Sequence, residues 1–173
     1  AFALFEGGWD VSRAQQNYDT LIRMGDGVDV PAGSESDRPY SKFMAIYAAF
    51  CRLHMKRYGT TQRQIAAVSA KNHQHSVHNP HSQIRKPFSI DEVLAAAPIT
   101  YPLTLPMCAP LSDGAAAAIL CTEQGLKRIG ADRSRCVRIA ASVMRSFSHR
   151  TIDQPELHVS RLAALQAYEQ AGL

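Results

Sequence analysis

Along the chain, the spacing of apolar side chains changes period several times, and each change predicts an element. Over residues 41–58 the positions Phe43, Met44, Tyr47, Phe50, Cys51 and Met55 recur every three or four residues, the period of one helix face. Gly59 stands where a C-cap glycine is expected. A second helical pattern, with Ile65, Ala66, Val68 and Ala70, starts at Thr61 as N-cap and runs to about residue 78, so the two helices should form a hairpin joined by a tight turn. "SIDEVLAAA" adds a short helix, with Ser89 and Glu92 in capping-box register and Pro98 as its stop. The last helix, in residues 159–173, is alanine-rich, with Ser160 as N-cap and Gly172 as its end.

Other stretches carry strand and turn signals. "AFALFEGG" alternates like a short strand and stops at two glycines. Residues 25–39, rich in Gly, Pro, Ser and Asp, predict a surface loop. After a turn at Pro110, Ser112, Asp113 and Gly114, residues 115–121 form a small-apolar run suited to a strand covered on both faces. Thr122 caps a helix closed by Gly130, and residues 136–144, with Val137, Ile139 and Val143, predict another strand. Strand, helical insertion, strand, helix, strand, helix is an α/β order.

Composition narrows the function classes. The 173 residues are 46% apolar and 20% charged, which suits a globular domain and excludes a disordered chain. The net charge of +4 is spread along the chain without an aromatic-interleaved basic patch, which argues against nucleic acid and leaves room for a small anionic ligand. No apolar run has the length of a membrane span, and the opening residues lack a basic n-region, so neither a span nor a signal peptide is expected. Four scattered cysteines suit a reducing compartment.

The densest chemistry is "SAKNHQHSVHNPHSQIRK", with His73, His75, His78 and His81. At ~100° per residue, His75 and His78 lie about 60° apart on a helix, His73 points to nearly the opposite side, and Pro80 ends the helix before His81. A zinc site needs three or four convergent ligands, and Cys51, Cys108, Cys121 and Cys136 show no C-x-x-C spacing. No metal site is expected. The His75/His78 pair should instead serve as hydrogen-bonding groups at a helix end, facing a protein or ligand interface.

Four strings, "KRYGTTQRQIAAVSAKNHQHSVHNPHSQ", "FSIDEVLAA", "CAPLSDGAAAAIL" and "AALQAYEQAGL", together resemble the thiolase superfamily, and within it the sterol-carrier-protein-X or lipid-transfer type. The likeness runs from about Phe43 to Leu173, with "ALFEGG" a looser match. It implies a layered α-β-α-β-α fold of two similar halves with a mostly helical loop domain inserted in the first, only the middle portion being present here. On that reading residues 1–40 are the end of a first-half strand plus a surface loop. Residues 41–105 are the loop domain, 106–135 the last strand and helix of the first half, and 136–173 the start of the second half.

The resemblance also implies an activity. Thiolases join or cleave a β-ketoacyl-CoA through a cysteine thioester, and some lipid-transfer-type relatives perform retro-aldol cleavage of a CoA-linked steroid side chain beside a small OB-fold partner protein. Such chemistry needs a cysteine of lowered pKa, a base, a second acid/base and donors for the developing oxyanions. No cysteine precedes Cys51, and no His-Asp-Cys or Gly-His-Pro string occurs, so no catalytic residue is assigned and the chain reads as the middle of an enzyme needing the rest of its polypeptide. The alternative is a non-catalytic subunit that binds lipid or CoA.

For binding, the resemblance places Met44 on the pantetheine channel, with plain helix core as the alternative. Ala109 aligns with a serine that contacts pantetheine in other thiolases. Cys108 beside it is the tempting nucleophile, since it precedes a turn and a strand, but a cysteine is common at that place in the lipid-transfer type without being the nucleophile, so it is read as a small hydrophobe among the binding residues. Arg85 and Lys86 are candidates for the CoA phosphates, with a solvated charge pair as the alternative. Coenzyme A is expected as part of the substrate, with no covalently bound cofactor. A homodimer or homotetramer is expected, in the cytoplasm or, in a eukaryote, the peroxisome.

Overall fold

The computed structural model describes residues 11–146, 150–151 and 154–173, so the strand expected over residues 1–8 lies outside them. The chain divides into two compact units, Ala1–Gly114 and Ala115–Leu173.

The first unit opens with a 3-10 turn, Val11–Arg13, running into helix α1, Ala14–Arg23. This helix falls between the expected strand end and the expected loop, in a stretch for which no helix was foreseen. Its signal was Tyr18, Leu21 and Ile22, at the three- and four-residue spacing of a helix face. Two helices follow, α2 (Lys42–Tyr58) and α3 (Gln62–Ser76). Ser41 caps α2 by accepting from the Phe43 amide, and Gly59, at φ 69°, closes it in the left-handed region that a side chain would strain. Thr61 and Gln64 form a reciprocal capping box at the start of α3. Helix α3 stops two residues earlier than expected, its last turn closing at His78 and Asn79 before Pro80.

Helix α4, Ile90–Ala95, starts at the Ser89/Glu92 capping box. Pro98, expected only as a stop, begins strand β1, Pro98–Thr100, which pairs antiparallel with β2, Leu103–Thr104. The Tyr101–Pro102 peptide between them is cis. This small sheet was not foreseen, because its strands are too short to show a period.

Packing sorts the helices into two groups. Helix α3 packs on α4 and on the 3-10 turn Leu105–Met107, around Ala66, Ala70 and Val93, with Phe88, Ile90, Leu94 and Met107 closing the cluster. The buried Thr104 hydroxyl donates to the Val93 carbonyl, so burial leaves it satisfied. Helix α2 packs on α1 and β1, burying Ile46, Ala48 and Ala49. Small residues allow that approach. A Cβ on Gly25 would lie 3.0 Å from the Ala49 Cα and 2.7 Å from the Arg52 Nε.

The loop over residues 25–39 is exposed along much of its length but pinned at one place. The Glu35 carboxylate accepts from Tyr40 Oη (3.0 Å), Thr100 Oγ1 (3.1 Å) and the Tyr101 amide (3.2 Å). Arg52 and Gln62 donate to the carbonyls of Tyr101 and Pro102, at 2.5 and 2.9 Å. The β1–β2 turn is thereby tied to the loop and to both helices of the pair.

The second unit holds α5, Glu123–Ile129, capped by Thr122 and ended by Gly130, and α6, Val159–Ala171, ended by Gly172. The N-cap of α6 is His158, whose Nδ1 accepts from the Ser160 amide at 3.2 Å. Ser160, expected as the cap, is the second residue of the helix, and the imidazole supplies the acceptor instead. Residues 115–121 and 136–144, expected as strands, form no ladder in this structure; Ile119, Leu120 and Val137 are exposed. Apolar character alone does not make a strand, since its amides and carbonyls need a neighbouring chain. Mixed helix and small sheet, an α/β class in the general sense, is what the described residues present.

A cavity between two helices

Because α2 turns toward α1 and β1 while α3 turns toward α4, a cavity of about 730 Å³ opens between them. Helix α2 contributes Met44, Tyr47 and Cys51. Helix α3 contributes Ile65, Val68, Ser69, Asn72 and His73, whose spacing is that of a single helical stripe. Leu103 and the run from Pro106 to Pro110 complete the wall.

One backbone oxygen organises the polar side of this wall. Ser69 Oγ donates to the Pro106 carbonyl at 2.7 Å, and His73 Nε2 meets the same oxygen at 3.0 Å. A carbonyl only accepts, so Nε2 carries a proton. The other ring nitrogen, Nδ1, is buried without a hydrogen-bond partner, and the ring stands edge-on to Phe88 with centroids 4.7 Å apart. These contacts hold the 3-10 turn Leu105–Met107 against α3 and fix where Cys108 and Ala109 emerge.

Both thiols of the wall are shifted toward the neutral form. Burial pushes the Cys51 thiol up, with the neighbouring Arg52 charge opposing. Burial also raises Cys108, and the proximity of Cys51 adds to it. A thiol held in this way has little thiolate at neutral pH and is a poor nucleophile.

Of the residues singled out in the sequence, Met44, Cys108 and Ala109 line the cavity, and Arg85 and Lys86 do not. Arg85 donates to the Val77 carbonyl at 3.3 Å, and the Lys86 ammonium lies 5.0 Å from the Phe88 ring centroid. His75 and His78 are exposed and their rings form no hydrogen bond in the structure, whereas His73, on the other side of α3, is the one bound and part-buried. Among the described residues, no three His, Cys, Asp or Glu side chains are placed to hold a metal ion, and no helix is long and apolar enough to cross a membrane. Ser69 and His73 were missed as a site pair. Their i, i+4 spacing was visible, but the carbonyl they share comes from a segment more than thirty residues later.

No family model and no solved structure matches the chain. Among curated proteins, it is 43% identical over 126 residues to rabbit sterol carrier protein 2, an alignment covering 69% of this chain and 23% of that protein. It is 39% identical over 144 residues to the human protein of the same name, covering 80% of this chain and 26% of the relative. A benzoylsuccinyl-CoA thiolase subunit from Thauera aromatica is 32% identical over 129 residues, 73% of this chain and 33% of that subunit. The chain thus spans between about a quarter and a third of the relatives it matches. Sterol carrier proteins and a thiolase subunit are both similar to most of it, and the chain belongs to the thiolase superfamily, on its sterol-carrier-protein side.

Proposed function

We propose that the whole protein is a thiolase-type acyltransferase acting on acyl-CoA, and that this chain supplies one wall of the channel that receives the pantetheine arm and the acyl group. The observation carrying the reading is the cavity, where α2, α3 and residues 106–110 bring Met44, Cys108 and Ala109 onto one wall. A volume of about 730 Å³ falls in the usual range for small-molecule sites, and its lining is mainly apolar with few polar groups, the common character of such pockets. Similarity to a benzoylsuccinyl-CoA thiolase subunit supports a CoA ligand.

On this reading the residues described here bind and orient, and they do not perform the bond-making step. The raised pKa values of Cys51 and Cys108 support that division, since a thioester-forming cysteine needs the opposite shift. The nucleophile, base and second acid/base belong to other parts of the polypeptide. The layered thiolase fold would pair residues 115–121 and 136–144 with those parts. Arg85 and Lys86, exposed and outside the cavity, remain available to CoA phosphates at its approach.

A second reading is a non-catalytic thiolase-fold subunit that binds lipid, favoured by the apolar wall and by similarity to sterol carrier proteins. The two are separated by assaying the whole protein for CoA-dependent cleavage of a 3-ketoacyl-CoA. Turnover that disappears in Ala109→Trp, together with binding of the unreactive thioether hexyl-CoA, supports the acyltransferase. Ligand binding without turnover in the wild type supports the binding subunit. Hexyl-CoA affinity unchanged in Ala109→Trp removes the cavity from either role.

A further inference from the structure

The polar groups of the cavity are mostly committed inside the protein. Ser69 and His73 both spend their donors on the Pro106 carbonyl, and Nδ1 of His73 is buried. The two thiols are held toward their neutral, weakly hydrogen-bonding form. Ala109 and the neighbouring prolines offer no polar side-chain atom. Among the lining side chains that leaves the Tyr47 hydroxyl on α2 and the Asn72 amide on α3, and neither forms a side-chain hydrogen bond in the structure. Asn72 follows Ser69 by three residues on the helix stripe, on the side of Ser69 away from His73.

Resting on the acyl-CoA reading above, we infer that the Asn72 side-chain amide binds an amide of the pantetheine arm and positions that arm along the wall. Pantetheine is a flexible chain of apolar segments interrupted by two amides, so an apolar wall suits its segments and a lone carboxamide suits an amide. A carboxamide carries an acceptor oxygen and two donor hydrogens, so it can pair with another amide reciprocally. A tyrosine hydroxyl gives and takes through one oxygen, a poorer match to the edge of an amide, and this selects Asn72 over Tyr47. The exposed amide is hydrated when the cavity is empty and exchanges water for the ligand on binding, so its net contribution is modest and falls on specificity.

The test uses the whole protein and two unreactive ligands, hexyl-CoA and an analogue whose two pantetheine amides are replaced by ethylene units. Wild-type protein should bind hexyl-CoA more tightly than the analogue. Asn72→Ala should narrow that ratio by about fivefold, the size of one net neutral hydrogen bond. The isosteric Asn72→Asp, which loses both donors, should narrow it as well and serves if the alanine variant folds poorly. A ratio unchanged in both variants, or the two affinities falling together, assigns Asn72 a structural role and overturns the inference while the acyl-CoA reading stands. Failure of wild-type protein to bind either ligand overturns the acyl-CoA reading itself.

Discussion

The imidazole of His73 reaches the carbonyl oxygen of Pro106 at 3.0 Å, across thirty-three residues of sequence, and joins the helix α3 wall to the turn that delivers Cys108 and Ala109. Ser69, one helical turn earlier, donates to the same oxygen, so the contact has two holders.

That sharing makes the effects of the two residues interdependent. Ser69→Ala should cost about 1 kcal/mol, because His73 still satisfies the carbonyl. In the double variant Ser69→Ala/His73→Ala the part-buried oxygen loses both partners, so the destabilisation should exceed the sum of the single changes. Urea denaturation of all four proteins measures the excess, and simple additivity would show that the shared oxygen is of no consequence.

Gly25→Ala should destabilise the packing of α1 on α2. The added methyl would meet the Ala49 Cα at 3.0 Å and the Arg52 side chain closer still. Arg52 can swing away, but only by giving up its bond to the Tyr101 carbonyl, and the backbone of α2 cannot. Overpacking of this kind typically costs about 1–3 kcal/mol. Thermal unfolding should show a lower midpoint, and a neutral outcome would mean that α1 can slide along α2.

The capping boxes predict both a mutational and an acid effect. Thr61→Ala removes the acceptor for the Gln64 amide and should cost about 1 kcal/mol. At the start of α4, hydrogen bonds from the Ser89 backbone and then its side chain hold the Glu92 carboxyl below its ordinary pKa. Its folded-state value being lowered, the stabilisation is present above the ordinary glutamate value of about 4.3 and is lost as pH falls through the depressed one. Glu92→Gln should therefore flatten the acid limb of the stability profile, as followed by circular dichroism between neutral and acid pH.

Thiol chemistry should separate the four cysteines. Cys121 and Cys136 are exposed, whereas Cys51 and Cys108 are part-buried with raised pKa values. Iodoacetamide at neutral pH should label the first pair well before the second. The folded state favours the neutral thiols of Cys51 and Cys108. Their contribution to stability is therefore present below the ordinary thiol value and is lost as pH rises through the raised one. Mass mapping of the alkylated peptides gives the order, and early labelling of Cys108 would overturn its placement as an unreactive wall residue.

Much of the local structure is legible because its causes are local. Ser41, Thr61, Ser89 and Thr122 are short polar side chains reaching amides two or three residues on, and Gly59, Gly130 and Gly172 take left-handed angles that other residues avoid. Helix α1 escaped because it carries no capping signal, its N-cap being Arg13 without a side-chain bond and its C-cap Met24, and the β1–β2 ladder because two or three residues show no period.

The sequence by itself determined where most helices begin and end, since capping bonds and helix periodicity act within a few residues. It also carried the family, because the order of its motifs survives without any knowledge of packing. Tertiary structure decided the rest. Whether residues 115–121 and 136–144 are strands depends on a partner chain for their amides. Which histidine matters depends on the Pro106 carbonyl, which reaches α3 only after the chain has passed through α4 and the small sheet. Met44, Asn72 and Cys108 face one cavity because α2 and α3 pack against different neighbours, and the space between them is a property of that packing alone.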